Sequence, residues 1–439
     1  MAIDESSNVT PMTQELRLAT TMTGGVSLAI WMAGVAREIN LLAQASQWRR
    51  LGGDFPAGTQ LSAPSVRSLK LYRRLIDLLD MVVDVDILSG TSAGGINGTL
   101  LAWSRVRGSD LGGLRDIWMD LGALTELLRD PTDKMTSSLL YGDKRMLAAL
   151  VEQIPKLAPG PFPPAKFPKK LGNPSTTLYV TTTLLNGETS RFTDSFGTLV
   201  QDVDRRGVFT FTEEDLKKKE DGLAEQRTVE ALALAARSSA SFPAAFEPSF
   251  VPFTEGTPEK GGVPARPAME QFANITRPHW VADGGLLDNQ PIDVLLKRIF
   301  DRPAERPVRR VLLFVVPSSG PAPDLVQAPP PDDVDEPLGL VDGLVKDLSA
   351  ITTQSIAADL RTIRAHQDRM EARTDAKLRL AELATKLPED TRLLTPKLLA
   401  DYKKREAAKQ AQALTSALLR QLSTWPPESG TSTESIPKN

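Results

Sequence analysis

From residue 15 to residue 317 the apolar positions switch repeatedly between a strand rhythm and a helix rhythm. Glu15 to Met22 (ELRLATTM) is a short apolar run that stops at Thr23-Gly24-Gly25, as a buried strand entering a turn would. Leu28 to Leu42 then has helical spacing, with Leu28, Trp31, Val35 and Ile39 on one side. Ser65 to Leu79 predicts a second helix. Val82 to Leu88 (VVDVDIL) is β-branched and apolar enough for a central parallel strand, and it leads through a glycine-rich turn into a third helix, Ala93 to Val106. Further strands are predicted at Thr176 to Leu185, Gly207 to Phe211, His279 to Ala282 and Arg309 to Val316. Helices are predicted at Asp143 to Ile154, Val229 to Ser239 and Ile292 to Phe300. Interleaving of this kind predicts one α/β unit over residues 15–317, built on a mostly parallel sheet.

The rhythm changes after Pro317. Residues 1–14 read as a flexible N-terminus and residues 318–337 as a proline-rich, acidic linker. Residues 338–424 read as a helical C-terminal region. Its stripe of Leu344, Leu348, Ile351, Ser355, Ile356, Leu360, Ile363 and Met370 needs something to pack against. Pro388 and Pro396 interrupt it, and residues 425–439 have the composition of a disordered tail.

Composition narrows the function classes. Apolar residues make up 41% and charged residues 24%, the balance of a soluble globular protein with ample core. Formal charge is −3, so no global basic field recruits nucleic acid. Cysteine is absent, which removes disulfides, thiolate metal sites and thiol nucleophiles together and fits a reducing compartment. The N-terminal residues carry no signal pattern, and no run approaches the roughly 20 apolar residues of a membrane helix. A cytoplasmic protein is expected, with any membrane contact peripheral.

The chemistry concentrates in three glycine-rich turns. Gly90 to Gly95 (GTSAGG) contains G-x-S-x-G between an apolar strand and a helix, the setting of a nucleophile elbow that presents Ser92. Gly90 and Gly94 remove side chains that would collide there, and the helix from Ala93 points its N-terminus at the serine. A serine nucleophile needs a base, yet the chain has only two histidines, His279 and His366. Asp283-Gly284-Gly285 follows a predicted strand and precedes a helix, so Asp283 becomes the candidate direct partner. A histidine-dependent α/β hydrolase remains the competing reading. Gly24 and Gly25 end the first strand and could offer backbone N–H groups to an oxyanion. A dinucleotide fingerprint fails there because the next glycine is Gly34.

At these three motifs the chain resembles the patatin-like phospholipases, most of all the large actinobacterial ones. AARSSASFPAAFEP, TTLYVTTTLLNGETSRF and DNQP resemble further blocks of that family. The resemblance covers residues 15–317 and implies a three-layer α/β fold and a serine–aspartate dyad of Ser92 and Asp283. It also implies an oxyanion turn at Gly24 and Gly25, no metal or cofactor, and lipid esters, phospholipids foremost, as substrates. The family's usual oxyanion segment is D-G-G-G-x-R-G. Here it is Met22-Thr23-Gly24-Gly25-Val26-Ser27-Leu28, with Ser27 at the arginine position. A conditionally active or non-catalytic effector, regulated through the helical C-terminal region or a protein partner bound there, is the alternative from another class.

Three weaker features complete the reading. Leu157 to Leu171 mixes Phe162 and Phe167 with lysines, as either a solvated loop or a membrane-dipping one. Asp84 and Asp86 alternate on a strand without further metal ligands nearby in sequence. Asp143 to Lys170 and Thr212 to Glu220 could be added cap segments.

Overall fold

The computed structural model describes residues 13–25, 29–122, 124–130, 132, 138–162, 175–193, 198–302, 308–317 and 357–385, with a few more between 400 and 415. The chain divides into two compact units, residues 1–361 and 362–439. The tail, the proline-rich linker and the stripe positions from Leu344 to Ile356 lie outside the described residues, as do Leu28, Phe167, Pro388 and Pro396.

Seven strands form one sheet: β1 (Gln14–Met22), β2 (Met81–Thr91), β3 (Thr177–Thr193), β4 (Leu199–Thr212), β5 (Ser249–Val251), β6 (His279–Asp283) and β7 (Val308–Val315). The long helices are α1 (Ala29–Leu51), α2 (Ala63–Leu78) and α3 (Ala93–Arg107). Shorter ones follow: α4 (Leu114–Leu121), α5 (Leu124–Leu127), α6 (Ala148–Gln153) and α7 (Glu213–Leu216). Then come α8 (Gly222–Ser239), α9 (Gly285–Asp288), α10 (Ile292–Asp301) and α11 (Ala357–Thr385). Every predicted strand and helix in the α/β unit is present. The mixed α/β fold with a mostly parallel central sheet is that of the sequence reading.

Strands β7, β1, β2 and β3 are mutually parallel. Helices α1, α3 and α8 cover one face over a core that includes Leu18, Met32, Leu88, Leu100, Val180 and Leu232. On the other face α10 presents Leu295 to Ala19 and Ile87, which makes three layers.

The side of α1 that enters the core is not the one the large apolar residues mark. Trp31 is 51% exposed, whereas Met32, Ala33, Ala36 and Ile39 are buried. Small alanines let α1 lie close to its neighbours, so the packed face carries less hydrophobic bulk than the exposed first turn. Phe162, a candidate for membrane contact, is instead buried and stacks on Trp48 at 5.1 Å between ring centroids. Asp143, expected in a cap segment, is buried in a π-helical turn, Gly142–Leu147.

Asp84 and Asp86 are both taken by arginines. Arg50 forks onto Asp84, with Nη1 donating to Oδ1 at 2.8 Å. Between β1 and β2 the register shifts: Leu18 faces Val85 and Ala19 faces Ile87. Asp86 is thus the extra residue of a β-bulge. Its carboxylate, fully buried, receives Arg302 at 3.0 Å and Arg310 at 2.5 Å. Removing one partner from a buried ion pair leaves the other charge uncompensated, at a cost of about 3–5 kcal/mol. Asp86→Ala should therefore lower the urea midpoint far more than truncation of the exposed Asp116, measured under identical conditions.

Candidate active site

Ser92 and Asp283 reach each other through an arrangement of strand ends that the linear sequence hides. Thr181 of β3 pairs with Thr91 of β2 on one edge and Val208 of β4 on the other. One residue on, Thr182 pairs with Gly207 of β4 and Asp283 of β6. Since β4 keeps its edge throughout, β6 occupies the same edge of β3 that β2 has just vacated. It runs antiparallel to β3, so the two strands meet head to head. The sequence reading put both residues at C-terminal strand ends, which holds, but the ends belong to opposed strands.

At that junction Ser92 Oγ donates to Asp283 Oδ2 at 2.7 Å. Ser92 has φ 54° and ψ −125°, a region an L-residue occupies only when its surroundings impose it, typically at about 1–3 kcal/mol. Here the surroundings are backbone. A Cβ on Gly90 would lie 2.3 Å from Gly94 O, and one on Gly94 would lie 2.3 Å from Met22 O. The elbow is thereby clamped between the first turn of α3 and the end of β1. The Ser92 backbone N–H donates to Ser239 Oγ at 2.7 Å.

The Asp283 side is held as firmly. Gly285 N–H donates to Asp283 Oδ1 at 2.8 Å, leaving Oδ2 for the serine. Thr183 Oγ1 donates to the Asp283 carbonyl at 2.8 Å. The end of α8 and the residues just after it supply both remaining contacts: Asp283 N–H to Ser241 O at 3.0 Å and Gly284 N–H to Ser239 O at 3.1 Å. A Cβ on Gly284 would meet Thr181 O at 2.4 Å. Burial pushes the Asp283 carboxyl up to about 6, against the opposing pull of the Ser92 hydroxyl, the Gly285 amide and the Arg237 charge.

The two glycines of the first turn part ways. Gly24 packs against Ser92, since a Cβ there would lie 3.1 Å from Ser92 Cβ, but its N–H donates to Asn289 Oδ1 at 3.0 Å. Among the described residues the N–H groups of Gly25 and of Ala93, directly after Ser92, have no hydrogen-bond partner. Of the two glycines expected to offer donors, Gly24 thus has its N–H engaged by Asn289.

His279 lies at the opposite end of β6 from Asp283, roughly 13 Å along a strand of this length. Its Nε2 shares a 2.8 Å hydrogen bond with Glu188 Oε1. His366 belongs to α11, and the Ser92 hydroxyl is bound by Asp283. Ser239, Ser241, Arg237 and Asn289 were not singled out as functional from the sequence. Ser239, Ser241 and Arg237 lie in AARSSASFPAAFEP and Asn289 in DNQP, two blocks noticed only as family resemblance, and no local pattern marks a serine whose role is to accept a distant amide.

This α/β fold, with an elbow serine bound to an Asp-Gly-Gly aspartate, is accompanied by a match of the patatin-like phospholipase family model to residues 21–296, and the chain belongs to that family. The chain is 75% identical, over all of its 439 residues, to an uncharacterized membrane protein of Mycobacterium tuberculosis (strain ATCC 25618 / H37Rv). It spans 40% of that relative's length. No solved structure matches it.

Two stability measurements check this geometry. Glycine tolerates the elbow conformation, so Ser92→Gly should exceed Ser92→Ala in unfolding free energy by about 1 kcal/mol. Gly94→Ala, facing immovable backbone, should fold poorly. Asp283 binds its proton more tightly folded than unfolded, so the stability this gives is full below about pH 4. It is lost as pH rises through about 6. The melting temperature of Asp283→Asn should therefore gain on wild type between pH 4 and pH 7, by the equivalent of about 2–3 kcal/mol. A constant difference would contradict the raised carboxyl.

Proposed function

We propose that the chain is a serine acyl hydrolase of phospholipase A type, cleaving the carboxylic esters of lipids through an acyl-enzyme on Ser92 with Asp283 as the direct base. Residues 15–317 form its catalytic domain in this reading. The observation that carries it is the 2.7 Å bond from Ser92 Oγ to Asp283 Oδ2, made at an elbow whose strain only the surrounding backbone maintains. Family membership supports lipid esters as the substrate class. The relative's description as a membrane protein is in keeping with a lipid substrate, and no helix among the described residues is long and apolar enough to cross a membrane.

The steps follow from the donors in place. Asp283 Oδ2 takes the hydroxyl proton as Ser92 Oγ attacks the ester carbonyl. Negative charge develops on the carbonyl oxygen, where the Gly25 and Ala93 N–H groups and the N-terminus of α3 stabilise it. Collapse expels the alcohol of the lysolipid, which takes its proton from Asp283. Water then gives a proton to Asp283 and attacks the acyl carbon; collapse breaks the acyl–Oγ bond, Asp283 returns the proton to Ser92 Oγ and the fatty acid is released. Because the base must be ionised, the rate should fall as pH drops through about 6, higher than for an ordinary exposed carboxyl.

Ser92→Ala should abolish both hydrolysis of short acyl esters and fluorophosphonate labelling. Asp283→Asn keeps the size and a hydrogen-bond acceptor but takes no proton, so activity should drop by about 10²–10⁴-fold in a folded protein. His279→Ala should stay within about tenfold of wild type. More than a tenth of wild-type activity in Asp283→Asn, or a collapse in His279→Ala, would defeat the direct-base reading.

One observation favours a conditional form of the same activity: the Gly24 N–H is held by Asn289. If Gly24 must be released to become an oxyanion donor, Asn289→Ala should raise the basal rate. If Asn289 only steadies the turn for Gly25, the same variant should lower it.

A further inference from the structure

Behind Asp283, on the side of α8, the protein buries a second ionic assembly that the mechanism above does not use. Arg237 is 0% exposed. Its Nη1 donates to Ser241 Oγ at 2.6 Å and its Nη2 to the Glu247 carbonyl at 2.9 Å. The guanidinium also lies 3.4 Å from Asp143 Oδ1 and 3.6 Å from Glu247 Oε1. Arg266 reaches Asp143 at 2.6 Å, and Arg129 reaches Glu247 at 2.8 Å. Gly142 has no side chain because the Arg237 head fills that space: a Cβ there would lie 1.8 Å from Nη2.

Among the described residues three guanidiniums face two carboxylates, so this assembly carries one unmatched positive charge. Glu247 is firmly ionised. Burial alone would raise it, but the amides of Asp143 and Gly142 and the charge of Arg237 hold it at about 2. The neighbouring acid that can balance the excess is Asp283. The link is short: Arg237 binds the Ser241 hydroxyl, and the Ser241 carbonyl accepts the Asp283 N–H.

We infer that Arg237 is a positioning residue whose buried cationic cluster serves as the counter-charge of Asp283, keeping that carboxylate ionised at neutral pH while Ser241 fixes its backbone. The inference rests on the reading of Asp283 as the base. Among the described residues, Arg237 is the charge that acts on Asp283. From β3 the neighbours are the uncharged Thr182 and Thr183, and from the turn before α3 the uncharged Ser92. Glu188 and His279 pair with each other at the far end of β6. Asp288 is raised to about 6 by burial first, and the charges that act on it are those of Arg206, Asp293 and Asp359.

The test uses the full chain and two readouts. One is the pH dependence of fluorophosphonate labelling at Ser92. The other is infrared titration of the Asp283 carboxyl, by difference from Asp283→Asn, which reads ionisation without catalysis. Arg237→Met should move the acid limb up by about one pH unit, while Arg237→Lys should restore most of it. Asp143→Asn and Arg266→Gln break the same ion pair but change the cluster's charge in opposite directions. Asp143→Asn should move the limb down and Arg266→Gln should move it up. A merely structural role would move both the same way, or neither, and either result overturns the inference. Should Arg237→Met fail to fold, this opposed pair decides alone. Infrared shifts as expected in a protein that Ser92 reagents never label would uphold the counter-charge and reject the dyad. Labelling that needs Ser92 and Asp283, with an unmoved limb in every cluster variant, would do the reverse.

Discussion

The structure depends on one junction, where β2 and β6 abut along a single edge of β3. Each strand ends because the other is coming. Thr181 and Thr182 are adjacent residues, yet one pairs with the strand that delivers Ser92 and the other with Asp283 itself. The separation of serine and carboxylate is therefore fixed by the repeat of a single strand rather than by loop conformation, and β3 is buried on both edges there. A distance written into a sheet register is stiff. Loops on the same scaffold can vary without altering it.

Fixing the distance leaves two energetic liabilities, the strained serine backbone and a buried carboxylate. Both are borne by backbone contacts that have no room to relax. Gly90 and Gly94 let the elbow, the first turn of α3 and the end of β1 close to within van der Waals distance, and Gly284 does the same against Thr181. The segment Ser239 to Ser241 then ties the two halves together. Ser239 Oγ holds the serine backbone, while the carbonyls of Ser239 and Ser241 hold the aspartate turn. Alanines throughout the middle of α8 are what allow this segment to sit so close to the sheet.

Much of this was legible beforehand, for physical reasons that differ by element. Strand–turn–helix alternation exposes β1, α1, β2 and α3, because each buries a continuous apolar stretch bounded by glycine. Ser92 and Asp283 were legible because their turns demand glycines at fixed offsets, and the scarcity of histidine turned attention to a carboxylate. The buried face of α1 was not legible, since alanine packing carries a weak hydrophobic signal beside Trp31. Nor was the antiparallel course of β6. Five residues of strand look alike in either direction, and only pairing with β3 decides. The Gly24 amide shows a further limit: a glycine beside Ser92 looks like a free donor until the side chain that occupies it, 265 positions away, is in view.

Burial and charge balance then connect the chemistry to the interior. A carboxylate that is to accept a proton from an alcohol gains from being destabilised as an anion, which burial achieves, yet it fails if destabilised so far that it is protonated at working pH. The ordinary value for such a group is near 4, and burial raises Asp283 to about 6 even with Ser92, Gly285 and Arg237 opposing it. The three opposing contacts are unequal in kind. The serine hydroxyl leaves during reaction and the Gly285 amide is a fixed neutral donor, whereas Arg237 is a full charge locked in place by Asp143 and Glu247. Of the three, only the guanidinium opposes the effect of burial with a full charge that does not depend on the position of the serine hydroxyl.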